Sequence, residues 1–443
     1  MTSINTTHSP AFPADAPSGI KPDGHDVAPG DIAVGVVIGR ASEYFDFFVY
    51  GIASALVFPS VFFPGENALN GTLYAFAIFA LAFVARPIGT VLSMMVQRRW
   101  GRSTKLTLAM FLLGTCTAGI AFLPGYQTLG TTAVVLLALF RIGQGMALGG
   151  SWDGLPSLLA MNAPAGKRGW YAMLGQLGAP TGFILASGLF AYLYSSLTLD
   201  EFLGWGWRYP FFVAFAINVV ALFARLRLVV TSEYEHLLDK NELEPTPIGE
   251  LMANQGSNVI IGAFAALASY ALFHLVTVFP LSWTLLYAQQ PIPSFLGVQI
   301  VGGFLCAIAI VASGWLADRF GRRNTLGALA LLIGMFSGFA PILLGGDTLS
   351  QDLFILIGFV LLGLSYGQAS GTVTSNFLPR YRYTGAALTN DFAWLIGAAF
   401  APLVALWLSA HFGLAYLGLY LLSGVACTVG ALLINRKLES SRD

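Results

Sequence analysis

Charge is scarce in this chain. Of its 443 residues 10% are charged, against 56% that are hydrophobic, whereas a water-soluble domain carries about 25% charged residues. That excludes an ordinary soluble globule and puts most of the chain in a bilayer. The little charge there is balances, with 22 basic and 22 acidic residues, so no excess draws the chain to nucleic acid. Cysteine is rarer still. Cys116, Cys306 and Cys427 each fall within an apolar stretch, without metal-ligand spacing. A metal site is thereby excluded, and buried structural thiols are expected. No phosphate-cradling glycine loop or nucleophile elbow is present, so an enzyme reading lacks support and no cofactor is expected. Period-two alternation is also missing, which favours helices over a membrane barrel.

Residues 1–30 lack any apolar run and are rich in Pro, Ser, Thr, Asp and Gly; they read as a disordered cytoplasmic tail without a cleavable signal peptide. Beyond it, twelve stretches reach the roughly 20 apolar residues that a spanning helix needs. They lie at about 32–58, 71–95, 104–124, 131–160, 169–196, 208–229, 257–287, 295–317, 324–344, 352–376, 384–410 and 412–434. The expected fold class is an all-α polytopic membrane protein, twelve helices in two six-helix halves (31–229 and 257–435). An acidic linker at 230–256 joins the halves, and a short cytoplasmic tail (436–443) follows them. With both termini inside, nearly all Lys and Arg outside the spans fall in cytoplasmic loops, and Arg208 alone lies near an outer loop; this is the positive-inside pattern. Gly145-xxx-Gly149 and Gly178-xxx-Gly182 allow close helix approach, with Pro180 able to bend the second.

One short loop occurs twice, half a chain length apart: Arg98-Arg99-Trp100-Gly101-Arg102 and Asp318-Arg319-Phe320-Gly321-Arg322-Arg323. Such duplication is the mark of transporters built from two similar halves. With twelve spans, these loops resemble the major facilitator superfamily. Within it, Gly39-Arg40-Ala41-Ser42-Glu43-Tyr44-Phe45-Asp46-Phe47 is similar to the first-segment motif of the metabolite:proton symporters. Arg86-Pro87-Ile88-Gly89, Arg141-Ile142-Gly143-Gln144-Gly145, Gly178-Ala179-Pro180-Thr181-Gly182, Trp205-Gly206-Trp207-Arg208-Tyr209-Pro210-Phe211 and Arg382-Tyr383-Thr384-Gly385-Ala386 fit the same group. The resemblance implies alternating access and a substrate such as shikimate, 2-oxoglutarate, citrate, proline or betaine. The chain departs from the pattern at Met94 and Arg98, where the family has Gly and Asp. It departs also at Ser151, where an acid is usual, at Asp153 and Asp391, where acids are not, and at Arg40. These mark a divergent branch.

Ionisable groups inside the hydrocarbon cost about 2.5–3.5 kcal/mol each, so each needs a reason. Glu43 and Asp46 share one helix face, with Arg40 a turn before and Tyr50 a turn after. Two carboxylates this close cannot both ionise cheaply, which suits a proton carrier; alternatively Arg40 neutralises Glu43 and the set is structural. Arg141, beside Gln144, keeps its charge and must meet an anion, either a side chain or a substrate carboxylate. It is either a switch between the two or half of a permanent ion pair. Asp153 and Asp391 are read as gate contacts to the Arg98 and Arg380 regions or as a proton exit. Arg86 is a structural arginine able to snorkel to the inner surface. His274 titrates in a useful range, and is either a substrate ligand or a hydrogen-bonded packing residue. The stripe Tyr44, Phe47, Phe48 either lines the cavity or packs.

In the loops, Arg98, Arg102, Asp318, Arg319 and Arg322 are expected to gate. Asp318 suits a helix N-terminus and Arg322 a partner across the halves, whereas Arg98 would repel a helix start, making the first latch the weaker. Together these point to a monomeric secondary transporter of the inner membrane, moving a small polar metabolite, most simply an organic acid, with protons. Its only other partner is lipid. The competing readings are a proton-coupled exporter of a polar drug or toxin, an uncoupled facilitator, and a non-transporting sensor.

Overall fold

In lipid an apolar run must close its backbone hydrogen bonds within itself, and a helix does so one turn at a time. A computed structural model of the protein describes residues 29–151, 163–164, 166–229, 244–288, 290–369 and 377–435, and these residues contain no strand. Among the described residues, twelve helices long enough to cross a bilayer follow one another. The first is α1 (Pro29–Leu56). Next come α2 (68–100) and α3 (102–122), two arms of Ala68–Phe122 that change direction at Gly101. They continue with α4 (Thr131–Gly150), α5 (Arg168–Ser196), α6 (Gly206–Phe223), α7 (Ile248–Leu286) and α8 (Ile292–Phe320). The last four are α9 (Arg322–Leu344), α10 (Thr348–Ala369), α11 (Pro379–Phe412) and α12 (Ala415–Ile434). Six helices precede residues 230–243 and six follow, a multi-pass helical membrane fold.

The repeated loops have the same backbone. Gly101 (φ 86°) and Gly321 (φ 81°) both occupy the left-handed side of φ, which only glycine enters cheaply, and each turns one helix into the next. Gly145 lets α4 lie directly on α2, because a Cβ there would overlap the backbone of Ala82; Gly182 does the same for α5 on α1. The α1, α2, α4 and α5 side chains are thereby brought to one central line.

Several helices break where they pass the middle. α7 is interrupted at Ala266 and again at Val278. α11 contains a π turn at Trp394–Ala398, where Ala399 N–H donates to the Trp394 carbonyl at 2.9 Å; such turns recur at functional sites. The rings of Phe47, Phe83, Phe273 and Trp394 pack between the two halves. On the outside, Phe122, Phe304, Ile342 and many similar side chains are exposed, a surface suited to lipid.

Two expectations change in detail. α7 starts at Ile248, not 257, because Pro247 at its N-cap opens the helix within the stretch read as linker. Cys427 is exposed, whereas Cys116 and Cys306 are buried. Residues 1–28, 230–243, 436–443 and Asp153 lie outside the described residues.

Candidate functional site

Spacing along α1 and α4 sets the centre of the molecule. Arg40 and Glu43, one turn apart, form an ion pair at 3.0 Å, and Ser151 at the end of α4 donates to Glu43 at 2.8 Å. One turn further, Asp46 accepts from Thr117 of α3 at 2.9 Å and faces Gln144 Nε2 at 3.5 Å. The two carboxylates on one helix face therefore each have a donor from another helix, Ser151 for Glu43 and Thr117 for Asp46. The helices packed on either side of that face divide it.

Arg141 is 1% exposed. Its Nε donates to the Phe79 carbonyl at 3.2 Å and its Nη1 to Gln144 Oε1 at 3.1 Å. The guanidinium lies 3.9 Å from the Tyr50 ring centre and 4.8 Å from that of Phe79. Its Nη2 has no hydrogen-bond partner, nor does the Tyr50 hydroxyl. Gln144 thus stands between Arg141 and Asp46, accepting from one and turned towards the other. Asn218 adds an amide beside Asp46. His274 enters from α7, stacked on Phe47 at 5.4 Å and edge-on to Phe79 at 5.2 Å. Neither ring nitrogen is hydrogen-bonded.

Towards the end of the molecule that carries the basic loops lies a cavity of about 30 Å³, lined by Arg40, Glu43, Tyr44, Phe47, Arg86 and Trp394 among others. It has room for roughly two waters. Residues on its wall make two contacts across the halves. The Tyr44 and Tyr366 hydroxyls meet in a hydrogen bond, and Asp391 of α11 meets Arg86 and Thr90 of α2. Arg86 Nε is 2.7 Å from Asp391, an ion contact off the hydrogen-bond axis, with Trp394 5.9 Å away. Asp391 therefore binds Arg86, not the Arg98 or Arg380 region. Arg86 points inward to it instead of snorkelling, and Gly149 lets α4 lie directly against the α2 backbone at Arg86 and Thr90. Arg380 pairs instead with Glu250 at 2.8 Å.

At the basic end, the Asp318 carboxylate accepts the backbone N–H of Gly169 at 2.6 Å and of Trp170 at 3.1 Å, at the start of α5. A carboxylate there meets both the open donors and the positive end of the helix. Arg322 is near Asp318 and Arg168. Arg319 is exposed and lies over Trp315 and Phe320. In the first copy, Arg98 is exposed and Arg102 buried. The cross-half contact there is made by a residue the sequence reading passed over as one more loop charge. Lys105, 1% exposed, donates to the Tyr383 hydroxyl at 2.8 Å, and Tyr383 donates to Gln97 at 3.1 Å. Nothing in the sequence pointed to Thr117 or Asn218.

Residues 38–390 match the family model described as Major Facilitator Superfamily. The inner membrane metabolite transport protein YhjE of Escherichia coli (strain K12) is 36% identical over 412 residues, covering 92% of this chain and 94% of that protein. The shikimate transporter of the same organism is 32% identical, covering 93% and 94%. Among solved structures, the proton:xylose symporter XylE superposes with a TM-score of 0.69 at 19% identity, covering 92% of this chain and 94% of that one. The relatives are transport proteins, not enzymes, and the chain belongs to the major facilitator superfamily as one of its metabolite transporters.

Proposed function

We propose that this protein carries a small organic acid together with a proton across the inner membrane. It would work as a monomer by rocking 31–229 against 257–435, with the basic end and both termini in the cytoplasm. The orientation follows from the distribution of basic loops, and the membrane from the name of the YhjE relative. The observation that carries the reading is Arg141, a buried guanidinium held only by neutral acceptors and with Nη2 unpartnered.

Charge counting couples the two ligands. Arg141 and ionised Asp46 sum to zero. A substrate carboxylate on Arg141 would leave one uncompensated buried negative charge, which is costly in low dielectric. A proton on Asp46 restores neutrality. Each ligand then favours the other, and such coupling is reciprocal. The Arg86–Asp391 pair, with the Asp318 latch, holds the closed state; Glu43, Asp391 and Asp153 are further proton sites in this reading. A proton-coupled xylose symporter of the same fold and a shikimate-carrying relative support it.

Counterflow in proteoliposomes tests it, with labelled shikimate, 2-oxoglutarate, citrate and betaine. One acid should exchange, and Asp46→Asn should keep exchange while losing accumulation driven by a pH gradient. If Asp46→Asn still accumulates substrate, the proton site is elsewhere. If no acid exchanges, the organic-acid reading is wrong.

A further inference from the structure

The polar atoms that the chain leaves unused at its centre describe a ligand. Of three arginines at mid-depth, Arg40 carries Glu43 and Arg86 carries Asp391. Arg141 is held by neutral acceptors alone and keeps Nη2 unpartnered. The other unpartnered groups around it, the Tyr50 hydroxyl and the His274 ring nitrogens, belong to side chains that are both 0% exposed. Burying such groups unpaired is unfavourable, so they are best accounted for by something that enters. Arg141 and His274 share two neighbours: Phe47 lies 5.8 Å from the guanidinium and 5.4 Å from the imidazole, and Phe79 lies 4.8 Å and 5.2 Å from them. Both are thus within the span of one small molecule.

We propose that the substrate is a small monocarboxylate bearing at least one hydroxyl or carbonyl group. Its carboxylate lies on Arg141 Nη2 and its hydroxyl or carbonyl on His274, so that α7 sets specificity from the opposite half. This rests on the reading of Arg141 as the anion anchor and narrows it. A second carboxylate would find the other two arginines described at mid-depth, Arg40 and Arg86, already paired. A quaternary ammonium group would be repelled by the Arg141 guanidinium, which already lies over Tyr50 and Phe79. A plain apolar acid would leave His274 unpaired, and a site built to bond a hydroxyl discriminates strongly against its absence.

The test is ligand binding to the purified full-length protein, read as a thermal shift and fitted for apparent Kd. The probes are quinate, gluconate and lactate (hydroxylated monocarboxylates), cyclohexanecarboxylate, succinate and glycine betaine. The best hydroxylated monocarboxylate should bind at least about tenfold more tightly than the other three probes. His274→Ala should weaken it about tenfold while leaving cyclohexanecarboxylate within about twofold, and His274→Gln, which keeps a donor and an acceptor, should restore part of the loss. Succinate binding as tightly as the hydroxylated acids would overturn the inference while leaving Arg141 as an anion anchor. Equal loss of both monocarboxylate types in His274→Ala and His274→Gln, or loss of neither, would remove His274 from the site. If no carboxylate binds at all, the anion-anchor reading fails and takes this inference with it.

Discussion

Arg141 and Asp46 are joined through a single side chain: Gln144 accepts from the guanidinium at 3.1 Å and directs its amide towards the carboxylate at 3.5 Å. A neutral spacer keeps the two charges from closing on each other and leaves the arginine available. Gln144→Glu should therefore give Arg141 a permanent partner. The apparent KM for anion exchange should rise at least about tenfold, equivalent to about 1.4 kcal/mol, without a fall in thermal stability. An unchanged KM would mean that Arg141 does not hold the anion.

Arg86 and Asp391 provide a double-mutant test. Breaking a buried ion pair by removing one partner costs about 3–5 kcal/mol, whereas replacing both by apolar groups is often neutral. Asp391→Leu should lower the melting temperature sharply, and Arg86→Met with Asp391→Leu should recover most of it. The double variant should also lose preference for the closed state, because this pair ties α2 to α11. Additive losses in the double variant would contradict the pairing.

How much of this was legible beforehand depends on distance along the chain. The twelve apolar runs, the duplicated loops and the glycines at 145 and 182 are local or periodic features, and the fold follows from them. The face shared by Glu43 and Asp46 was readable from their spacing, but their donors were not, since Ser151 and Thr117 arrive from other helices. Thr90 and Asp391 are 301 positions apart, and no spacing rule links them; the pairing arises only when the halves close. Lys105 was hidden by its neighbours, because next to three loop arginines a lysine reads as surface charge.

The contact of α5 with α1 depends on glycine at one position. A Cβ on Gly182 would lie 2.6 Å from the Phe45 backbone nitrogen, whereas one on Gly188 would meet nothing within 4 Å. Gly182→Ala should destabilise by about 1–3 kcal/mol through overpacking, and Gly188→Ala should be neutral or slightly stabilising, since alanine favours a helix by about 1 kcal/mol. Melting curves in detergent compare the two. Equal effects would show that α1 can shift to make room.

Outside the spans, Asp347 precedes α10 and accepts from the Ser350 hydroxyl at 2.6 Å and backbone N–H at 3.0 Å. These bonds hold its carboxyl below the usual carboxylate range. A lowered folded pKa contributes stability above the unfolded value, about 3.9, and that contribution is lost as pH falls through the folded value. Acidification below about pH 4 should therefore cost stability in which Asp347 shares, and Asp347→Asn should flatten that part of the melting profile. A profile unchanged by the substitution would show that the cap does not persist.

The two loop copies hold their halves by opposite chemistry, which makes their latches separable. Asp318 presents a carboxylate to the open N–H groups and positive end of α5, an interaction worth about 0.3–1 kcal/mol and up to about 2 when partly buried. In the first copy Lys105 carries a positive charge to the Tyr383 hydroxyl, while Arg98 stays exposed. Met173, buried against Gly314 in the closed state, can report opening as Met173→Cys in a background lacking the native cysteines. Asp318→Ala and Lys105→Met should each raise its maleimide labelling about fivefold, the factor for about 1 kcal/mol. Arg98→Ala should change it less than about twofold, as surface substitutions usually do. Equal labelling in Arg98→Ala and Asp318→Ala would show that the basic strip, and not the two discrete contacts, holds this end closed. A response to Asp318→Ala without one to Lys105→Met would leave the second copy as the sole latch and make the first a spacer.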